Sequence, residues 1–198
     1  MKYGTFIEAK GGEFSKQINF LSKAISKDET RFFMMVLHIE PSEKKEGAFL
    51  GVTTDGRRLH KVDPLACPPD WLETGDWRVV RSDIKTAWLA KQIPPELKPG
   101  EEAKPWQGFP AWRRVISQDE PTFTTNFRGF AYSSKVRGCN YQEMVRFVRE
   151  FPDPTVLNLD YLADLGNFLV WDVGWVNGNK AITFRNGDRY ALMMPMQY

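Results

Sequence analysis

The chain has 198 residues, of which 42% are hydrophobic and 26% are charged, and its formal net charge at neutral pH is +2. This length fits one large domain or two small ones, and the composition is that of an ordinary globular protein. No stretch approaches the ~20 apolar residues that a membrane-spanning helix needs, and the N-terminal MKYGTFIEAKGGEF lacks the apolar centre of a secretory signal. Cys67 and Cys139 are too few for a disulfide framework, so we expect reduced thiols in a cytoplasmic protein, with one long-range disulfide as the alternative.

The chain begins with a predicted strand, KYGTFIEA, followed after two glycines by a predicted helix, EFSKQINFLSKAISK. Apolar side chains recur along this helix with a 3.6-residue period and predict its buried face: Phe14, Ile18, Leu21 and Ile25. Basic side chains fall on the opposite face: Lys16, Lys23 and Lys27. Taken alone, such lysines are typical of any solvated helix face.

A long strand and a hairpin are predicted next. The run RFFMMVLHIE, which ends at Pro41, has the length and apolarity of a strand. The runs AFLGVTT and RRLHKV then flank Asp55-Gly56. Asp-Gly between two apolar strands is the strongest short-range sign of a hairpin, and a two-residue turn of this kind needs positive φ at both positions.

A further strand and helix are predicted before a linker. DWRVVR indicates a strand, and Ser82 with Asp83 suits the start of a helix over DIKTAWLAKQI, which carries Lys85 and Lys91. The segment PPELKPGEEAKPWQG holds four prolines and two glycines and is the best linker in the chain.

The last part of the chain repeats this mixture of elements. FPAWRRVIS and TFTTNFRGFAYSS predict strands, and NYQEMVRFVREF predicts a helix with Arg146 and Arg149 on its polar face. TVLNLDYLADLGNFL predicts a strand and then a helix that starts near Asn158 or Leu159. The remainder predicts a strand meander with Asn-Gly turns at 177–178 and 186–187. The fold class is therefore α+β, with antiparallel sheets and helices packed on one face.

The chemistry-bearing residues do not predict an enzyme. The soft metal ligands lack the spacing of a zinc site: His38, His60, Cys67 and Cys139. No nucleophile elbow and no glycine-rich phosphate loop is present. We expect no cofactor and no catalysis, although a magnesium ion held by carboxylates stays open because Asp and Glu are too common to be diagnostic.

Four stretches, in this order, resemble the bacterial sliding clamp, the β subunit of DNA polymerase III, and in particular its second and third domains. DETRFFMMVLHIE is similar to the first long strand after the helix, and VTTDGRRLHKV to the T-D-G-H-R-L turn. GFPAWRRVIS resembles the F-P-D-Y-R-R-V-L-P connection between domains. LNLDYLADL with RYALMMPMQY resembles the last helix and the C-terminal strand, which usually ends M-P-M-R-L. The resemblance implies a DNA-clamp fold.

The chain departs from the clamp pattern in several places. Arg57 stands where the family usually has His, and Gln197 and Tyr198 replace Arg and Leu. The chain is also shorter than two full clamp domains, which suggests a reduced, phage-like relative. We expect a clamp-like domain over residues 1–105 and a reduced one over 106–198. The alternative is one clamp domain with an insertion at residues 64–153.

The resemblance implies a surface for duplex DNA, because clamps enclose DNA in a ring lined by basic helices. Carried over to this chain, the DNA-facing residues would be Lys16, Lys23, Lys27, Lys85, Lys91, Arg146 and Arg149. Such contacts are independent of sequence and weaken with salt. Ordinary exposed charges are the alternative interpretation.

The resemblance also implies a pocket for short apolar peptide motifs of DNA polymerases and clamp loaders. One wall would be Thr54, Gly56, Arg57, Arg58 and Leu59, and the other would be Met194, Pro195 and Met196. Methionines suit a groove that accepts varied partners because they repack readily. Met193 and Met194 as alternating core residues of a strand are the other interpretation.

The sequence thus predicts a non-enzymatic polymerase processivity factor that self-associates into a ring on duplex DNA. Two alternatives stay open. One keeps the fold as a peptide-binding or regulatory module without DNA. The other is a single-stranded nucleic-acid binder that uses some of the seven tryptophans for base stacking.

Overall fold

The computed structural model describes residues 2–4, 7–93, 109–116, 121, 123–128, 149, 157–166, 170–175 and 181–196. The chain divides into two compact units, Met1–Val115 and Ile116–Tyr198. The predicted boundary at 105–106 lies outside the described residues, so the predicted domain limits and the insertion at 64–153 stay predictions.

The first unit is built on an antiparallel sheet with one α-helix. Its strands are β1 (Lys2–Tyr3), β2 (Ile7–Lys10), β3 (Leu37–Pro41), β4 (Phe49–Thr54), β5 (Arg58–Val62), β6 (Gly75–Ser82) and β7 (Thr86–Ile93). β1 and β2 both pair with β7, and the order continues through β6, β3 and β4 to β5. Among the described residues of this unit, the helices are α1 (Gly12–Ser22) and two 3₁₀ helices, Glu29–Met34 and Trp112–Val115.

The apolar face predicted for the first helix packs against the sheet. Phe14, Ile18 and Leu21 of α1 are buried, and full burial of such a side chain contributes about 1.5–3 kcal/mol. The helix comes so close to β4 that a Cβ added to Gly51 would lie 2.8 Å from Leu21 Cδ1. Any larger residue at this point would force the Leu21 side chain to shift.

A short segment before residue 116 covers part of the other face of the sheet. The Phe109 ring stacks on the His38 imidazole with ring centroids 4.8 Å apart. Trp112 is buried, and its Nε1 donates to Glu40 Oε1 at 2.6 Å. Arg113 joins Glu40, at 2.8 Å, to Glu43, at 2.9 Å. Burial opposes ionisation of Glu40, but the hydrogen bonds from Arg113 and Trp112 hold its pKa below the usual value.

This segment corrects the strand predicted for FPAWRRVIS, because Trp112–Val115 is a 3₁₀ helix. Consecutive residues of a strand point to opposite faces of a sheet. Trp112 and Arg113 instead both reach Glu40, which the tighter winding allows.

A second correction concerns residues 83–93, which were predicted as a helix. Only a turn follows Ser82, and Thr86–Ile93 forms β7. Asp83 Oδ1 accepts the N–H groups of Lys85, at 2.7 Å, and Thr86, at 2.8 Å, as a helix cap would, but here these bonds close a hairpin. Strands on both sides satisfy the β7 backbone, and this tertiary pairing outweighs the helix propensity of Ala, Leu and Lys.

The run RFFMMVLHIE is a strand only in its second half. Glu29–Met34 is a 3₁₀ helix, and β3 begins at Leu37. The helix starts where Asp28 accepts the Thr30 N–H, at 3.0 Å, and the Thr30 hydroxyl, at 2.6 Å. These hydrogen bonds lower the pKa of Asp28, and the local cap explains why an apolar run does not continue as strand.

The strands of the second unit pair antiparallel in chain order: β8 (Phe123–Arg128), β9 (Val170–Trp175), β10 (Ile182–Asn186) and β11 (Arg189–Met193). Trp171, Val173 and Trp175 are buried, while Val170 before them and Asp172 between them are exposed, which is the alternation of a half-buried strand. The predicted turn at 186–187 is confirmed, and the one at 177–178 lies outside the described residues.

The helix α2 (Leu159–Ala163) of the second unit is shorter than the pattern predicted. Its predicted start is confirmed, since the Asn158 side chain accepts the Asp160 N–H at 2.9 Å. The α+β class with antiparallel sheets is confirmed. None of the described helices is long and apolar enough to span a membrane.

Candidate functional site

The predicted hairpin turn between β4 and β5 is confirmed, with a backbone that differs from the prediction. Gly56 has φ +84°, but Asp55 does not take positive φ. Asp55 Oδ1 instead accepts the N–H groups of Arg57, at 2.9 Å, and Arg58, at 3.0 Å. The turn is therefore a longer loop held by the Asp55 carboxylate.

Three residues of the predicted peptide-binding wall are buried in this turn: Thr54, Arg58 and Leu59. Thr54 Oγ1 donates to the Arg58 carbonyl at 2.7 Å and accepts the Gly56 N–H at 3.1 Å. Arg58 Nε donates to Asp55 Oδ2 at 3.0 Å. Their polar groups are thus engaged inside the protein, and they fix the shape of the turn.

Side chains of this hairpin also cap the C-terminal end of α1. His60 Nδ1 donates to the Phe20 carbonyl at 2.8 Å, and Thr53 Oγ1 donates to the Leu21 carbonyl at 2.6 Å. The Arg58 guanidinium donates to the Lys23 carbonyl. A helix leaves its last carbonyls without intrahelical partners, and a cation there also favours the negative end of the helix dipole.

Gly56 and Arg57 are the exposed residues of the predicted turn wall, and two residues that the sequence did not predict adjoin them. A Cβ on Gly56 would lie 3.0 Å from Arg31 Nη1 and 3.6 Å from Met34 Sδ. Arg31 Nη1 also donates to the Asp55 carbonyl at 3.3 Å. The sequence signal for this contact was the Asp28-x-Thr30 cap, which predicts a turn rather than a strand before Met34.

The other predicted wall lies in the second unit. Met193 is buried at the end of β11, whereas Met194 and Met196 are 43% and 51% exposed. Pro195 is half-buried. The core interpretation therefore holds for Met193 alone, and the second unit presents two large apolar side chains to solvent.

The residues predicted to face DNA do not all lie on helices. Lys16 is exposed on α1 and forms an ion pair with Glu13 at 3.2 Å. Lys23 and Lys27 are exposed just beyond the end of α1. The helix ends earlier than predicted because its last carbonyls bond to the hairpin instead of continuing the helix.

The remaining basic residues fall in different settings. Lys85 lies in the β6–β7 turn, and Lys91 lies on β7, where its Nζ pairs with Glu73 at 2.5 Å. Their placement on a helix was wrong. Arg149 is helical and exposed, and Arg146 lies outside the described residues.

The structure also describes the surroundings of two residues considered as soft metal ligands, His38 and His60. No group of three or more His, Cys, Asp or Glu side chains in the described part of the chain could hold a metal ion. His60, which is fully buried, stacks on Phe20 with ring centroids 4.3 Å apart. Burial, together with the Arg58 and Lys23 charges, lowers its pKa to about 3, so it is a neutral structural residue.

Comparison with solved structures finds the same fold in bacterial DNA polymerase III β subunits. The Streptococcus pyogenes protein matches 100% of this chain with a TM-score of 0.59 at 11% identity. The Pseudomonas aeruginosa sliding clamp matches 100% of this chain with a TM-score of 0.58 at 13% identity. The Borrelia burgdorferi protein matches 98% of it with a TM-score of 0.57 at 13% identity. This chain has the fold of a bacterial sliding clamp. The resemblance predicted from the four sequence stretches is confirmed as a likeness of fold.

The same comparisons set the extent of that likeness. The chain spans 65% to 68% of the length of these three clamp subunits. No family model and no curated protein matches the sequence.

Proposed function

We propose that the chain is a non-enzymatic, clamp-type accessory of a DNA polymerase that contacts duplex DNA and binds partners through short apolar peptide motifs. The observation that carries this proposal is the sliding-clamp fold, which extends over the whole chain. Protein partners of the polymerase or clamp-loader type and a ring formed by self-association are parts of the same proposal.

The duplex contact is proposed for the lysines along and just after α1: Lys16, Lys23 and Lys27. All three are exposed, and Lys23 and Lys27 lie close together in sequence where the helix ends. Cations in this position suit phosphates without reading bases. Binding should therefore weaken with salt: the logarithm of the binding constant should fall linearly with the logarithm of the salt concentration, with a slope of about −0.9 for each phosphate contact that is made.

A charge-reversal experiment tests the duplex contact. Lys23→Glu with Lys27→Glu should abolish association with a labelled 30-base-pair duplex in fluorescence anisotropy at low salt. The matched control is Lys44→Glu with Lys45→Glu, which makes the same change of charge on an exposed loop. Equal loss of affinity in both pairs would mean that the response reports net charge and would contradict a site at the end of α1.

The peptide contact is proposed for exposed residues in each unit. In the first unit they are Gly56 and Arg57 with Arg31 and Met34, and in the second they are Met194 and Met196. Arg57 is permanently charged and bulkier than the His that clamps usually carry, so we expect a preference for peptides that also bear a carboxylate.

A labelled decapeptide with a Leu-Phe core and one Asp tests the peptide contact. Met196→Gln should lower its affinity, whereas Val170→Gln, which also replaces an exposed apolar residue of the second unit, should not. Arg57→Gln should reduce the advantage of the Asp-containing peptide over one with Asn. Failure of the wild-type protein to bind either peptide at 100 µM would remove this part of the proposal.

Ring formation is tested by sedimentation at micromolar concentration. We expect a self-associated species that remains on circular duplex DNA and leaves when the DNA is linearised. A monomer at all concentrations that also fails to remain on circles would contradict the ring.

One observation favours the module without DNA as a second candidate. Lys85 and Lys91 are not helical, and Lys16 and Lys91 are already in ion pairs with Glu13 and Glu73. In that case the duplex experiment should detect no binding by the wild-type protein, while the peptide experiment should succeed.

A further inference from the structure

Trp88 lies on the sheet face that points away from α1, on the strand next to the edge strand β2. It lies on β7, opposite Arg81 of β6 on one side and Glu8 of β2 on the other. Its neighbours Ala87 and Leu89 are fully buried on the helix side, as strand alternation requires, while Trp88 is 37% exposed. A large aromatic ring therefore faces solvent on a strand that has a paired neighbour on each side.

A bulge in β6 adds apolar surface next to this ring. Val79 pairs with Leu89 and Arg81 pairs with Trp88, so Val80 is an extra residue. In such a bulge, two residues of one strand lie opposite one of the other, which sets Val80 and Arg81 together against Trp88. Val80 is 52% exposed, and Ile84 at the tip of the same hairpin is 62% exposed.

The hairpin that carries Trp88 is also rich in exposed cations: Arg78, Arg81 and Lys85. The two acidic groups nearby are both engaged. Glu8 pairs with Lys10 at 3.5 Å, and Asp83 accepts the backbone N–H groups that close the turn. With Lys10, the cations Arg78, Arg81 and Lys85 therefore outnumber the carboxylates Glu8 and Asp83, and Arg81 also interacts with the Asp83 charge.

The other tryptophans do not share this setting. Of the six in the described part of the chain, four are buried: Trp77, Trp112, Trp171 and Trp175. Trp71 is half-buried and lies beside Trp77, with ring centroids 5.7 Å apart. Trp88 therefore combines an exposed ring with adjacent guanidinium groups. Proteins that bind single-stranded nucleic acids use this combination, in which the ring stacks on a base and the cations contact phosphates.

We propose that this face binds single-stranded nucleic acid, with the Trp88 ring stacking on a base and Arg78, Arg81 and Lys85 contacting phosphates. An apolar protein segment fits less well, because the core of a protein interface is depleted of charge, and Trp88 has charged residues on both neighbouring strands. A duplex fits less well because its bases already stack on one another. The site is independent of the duplex contact proposed above, since the lysines of that contact lie on and after α1.

Anisotropy of fluorescein-labelled dT20 with the full chain at 50 mM NaCl tests the proposal. We expect binding that weakens with salt. Trp88→Thr, which keeps a good strand former but removes the ring, should lower the affinity about tenfold, and Trp88→Phe should retain most of it. Arg81→Gln should weaken binding and reduce the salt dependence by about one phosphate contact. Lys45→Gln, on an exposed loop, is the matched control.

Three results would overturn the proposal. The first is the absence of dT20 binding at 50 mM NaCl. The second is an unchanged affinity in Trp88→Thr with a native circular dichroism spectrum. The third is an equal loss in Arg81→Gln and Lys45→Gln. Binding of the Leu-Phe decapeptide that is lost in Trp88→Thr, without dT20 binding, would assign the face to a protein segment instead.

A spectroscopic measurement decides the matter if Trp88→Thr fails to fold. The emission of Trp88→Phe, subtracted from that of the wild-type protein, isolates the Trp88 signal. We expect dT20 to quench this component, and a component that dT20 leaves unchanged would overturn base stacking. Lys23→Glu with Lys27→Glu separates the two proposals, because it should remove duplex binding and leave the quenching of Trp88 in place.

Discussion

Two hairpins of the first unit, β4–β5 and β6–β7, close on the same pattern of hydrogen bonds. Asp55 accepts the N–H groups of the second and third residues after it, and Asp83 does the same. Beyond the turn they differ. Arg58 of the first hairpin is buried against the end of α1, while Arg81 and Lys85 of the second are exposed beside Trp88. The same local device thus supports a helix in one hairpin and presents a charged surface in the other.

The largest effect on stability should come from replacing Arg58, the buried cation of the β4–β5 hairpin. Arg58→Gln leaves the Lys23 carbonyl and the Asp55 carboxylate without their charged partner in a largely buried site, so we expect a loss of about 3 kcal/mol in the free energy of unfolding. Arg81→Gln, its outward counterpart, should change it by less than about 0.5 kcal/mol. Urea denaturation measures both, and similar losses would erase the contrast between the hairpins.

Acid should destabilise the folded protein through His60 of the β4–β5 hairpin. Its pKa is about 3 in the folded protein and about 6.5 when unfolded. Since the unfolded state binds the proton more readily, the stability is intact above pH 6.5 and falls as the pH drops below it, by about 2 kcal/mol at pH 5. Denaturation at pH 8 and pH 5 should give this difference for the wild-type protein. The free energy of unfolding should depend less on pH in His60→Gln. An unchanged pH dependence would mean that a group other than His60 is responsible for it.

The second position of each turn should respond differently to alanine. Gly56 has φ +84° and Arg31 close above it, so Gly56→Ala should cost about 1–2 kcal/mol. Ile84 holds the matching position in the other turn and is exposed, so Ile84→Ala should have an effect below about 0.5 kcal/mol. Thermal unfolding compares the two variants, and an equal shift would mean that the turns share one backbone requirement.

The smallest of these effects concerns one hydroxyl group. Thr53 is fully buried and donates to the Leu21 carbonyl at 2.6 Å, so the nearly isosteric Thr53→Val should cost about 1 kcal/mol. Thr86→Val removes a half-buried hydroxyl whose bond to Asp83 is longer, at 3.2 Å, and should cost less. Urea denaturation ranks the pair, and the reverse order would mean that the cap on α1 contributes nothing.

The sequence predicted those elements whose signals are local. Asp55-Gly56 marked the first hairpin, the spacing of Phe14, Ile18 and Leu21 marked α1, and Asn158 marked the start of α2. The strand within residues 83–93 was predicted as a helix because Ser82-Asp83 is equally suited to a helix cap and to a hairpin turn. The pairing of β7 with strands on both sides decides between them, and these partners are distant in the sequence.

The sequence identified residues of the candidate peptide-binding turn but not what each of them does in the structure. Arg58 and Leu59 matched a motif, yet burial assigns them to the support of the turn. Arg31 and Met34 were missed because their contact with Gly56 depends on a 3₁₀ helix that an apolar run conceals. The exposure of Trp88 could not be foreseen either, since it follows from the strand that replaced the predicted helix.

The close contact between Leu21 of α1 and Gly51 of β4 has a consequence for how β4 aligns with its neighbouring strands. A shift of β4 by one residue would turn its whole side-chain pattern over. A shift by two residues would keep the faces but bring Phe49 or Thr53 under Leu21, where even a Cβ would lie 2.8 Å from Leu21 Cδ1 and Leu21 would have to move. The contact between Leu21 and Gly51 thus favours the observed alignment of β4, in which Arg58 reaches the Lys23 carbonyl. A residue without a side chain therefore helps to set the position of Gly56 and Arg57 in the candidate binding turn.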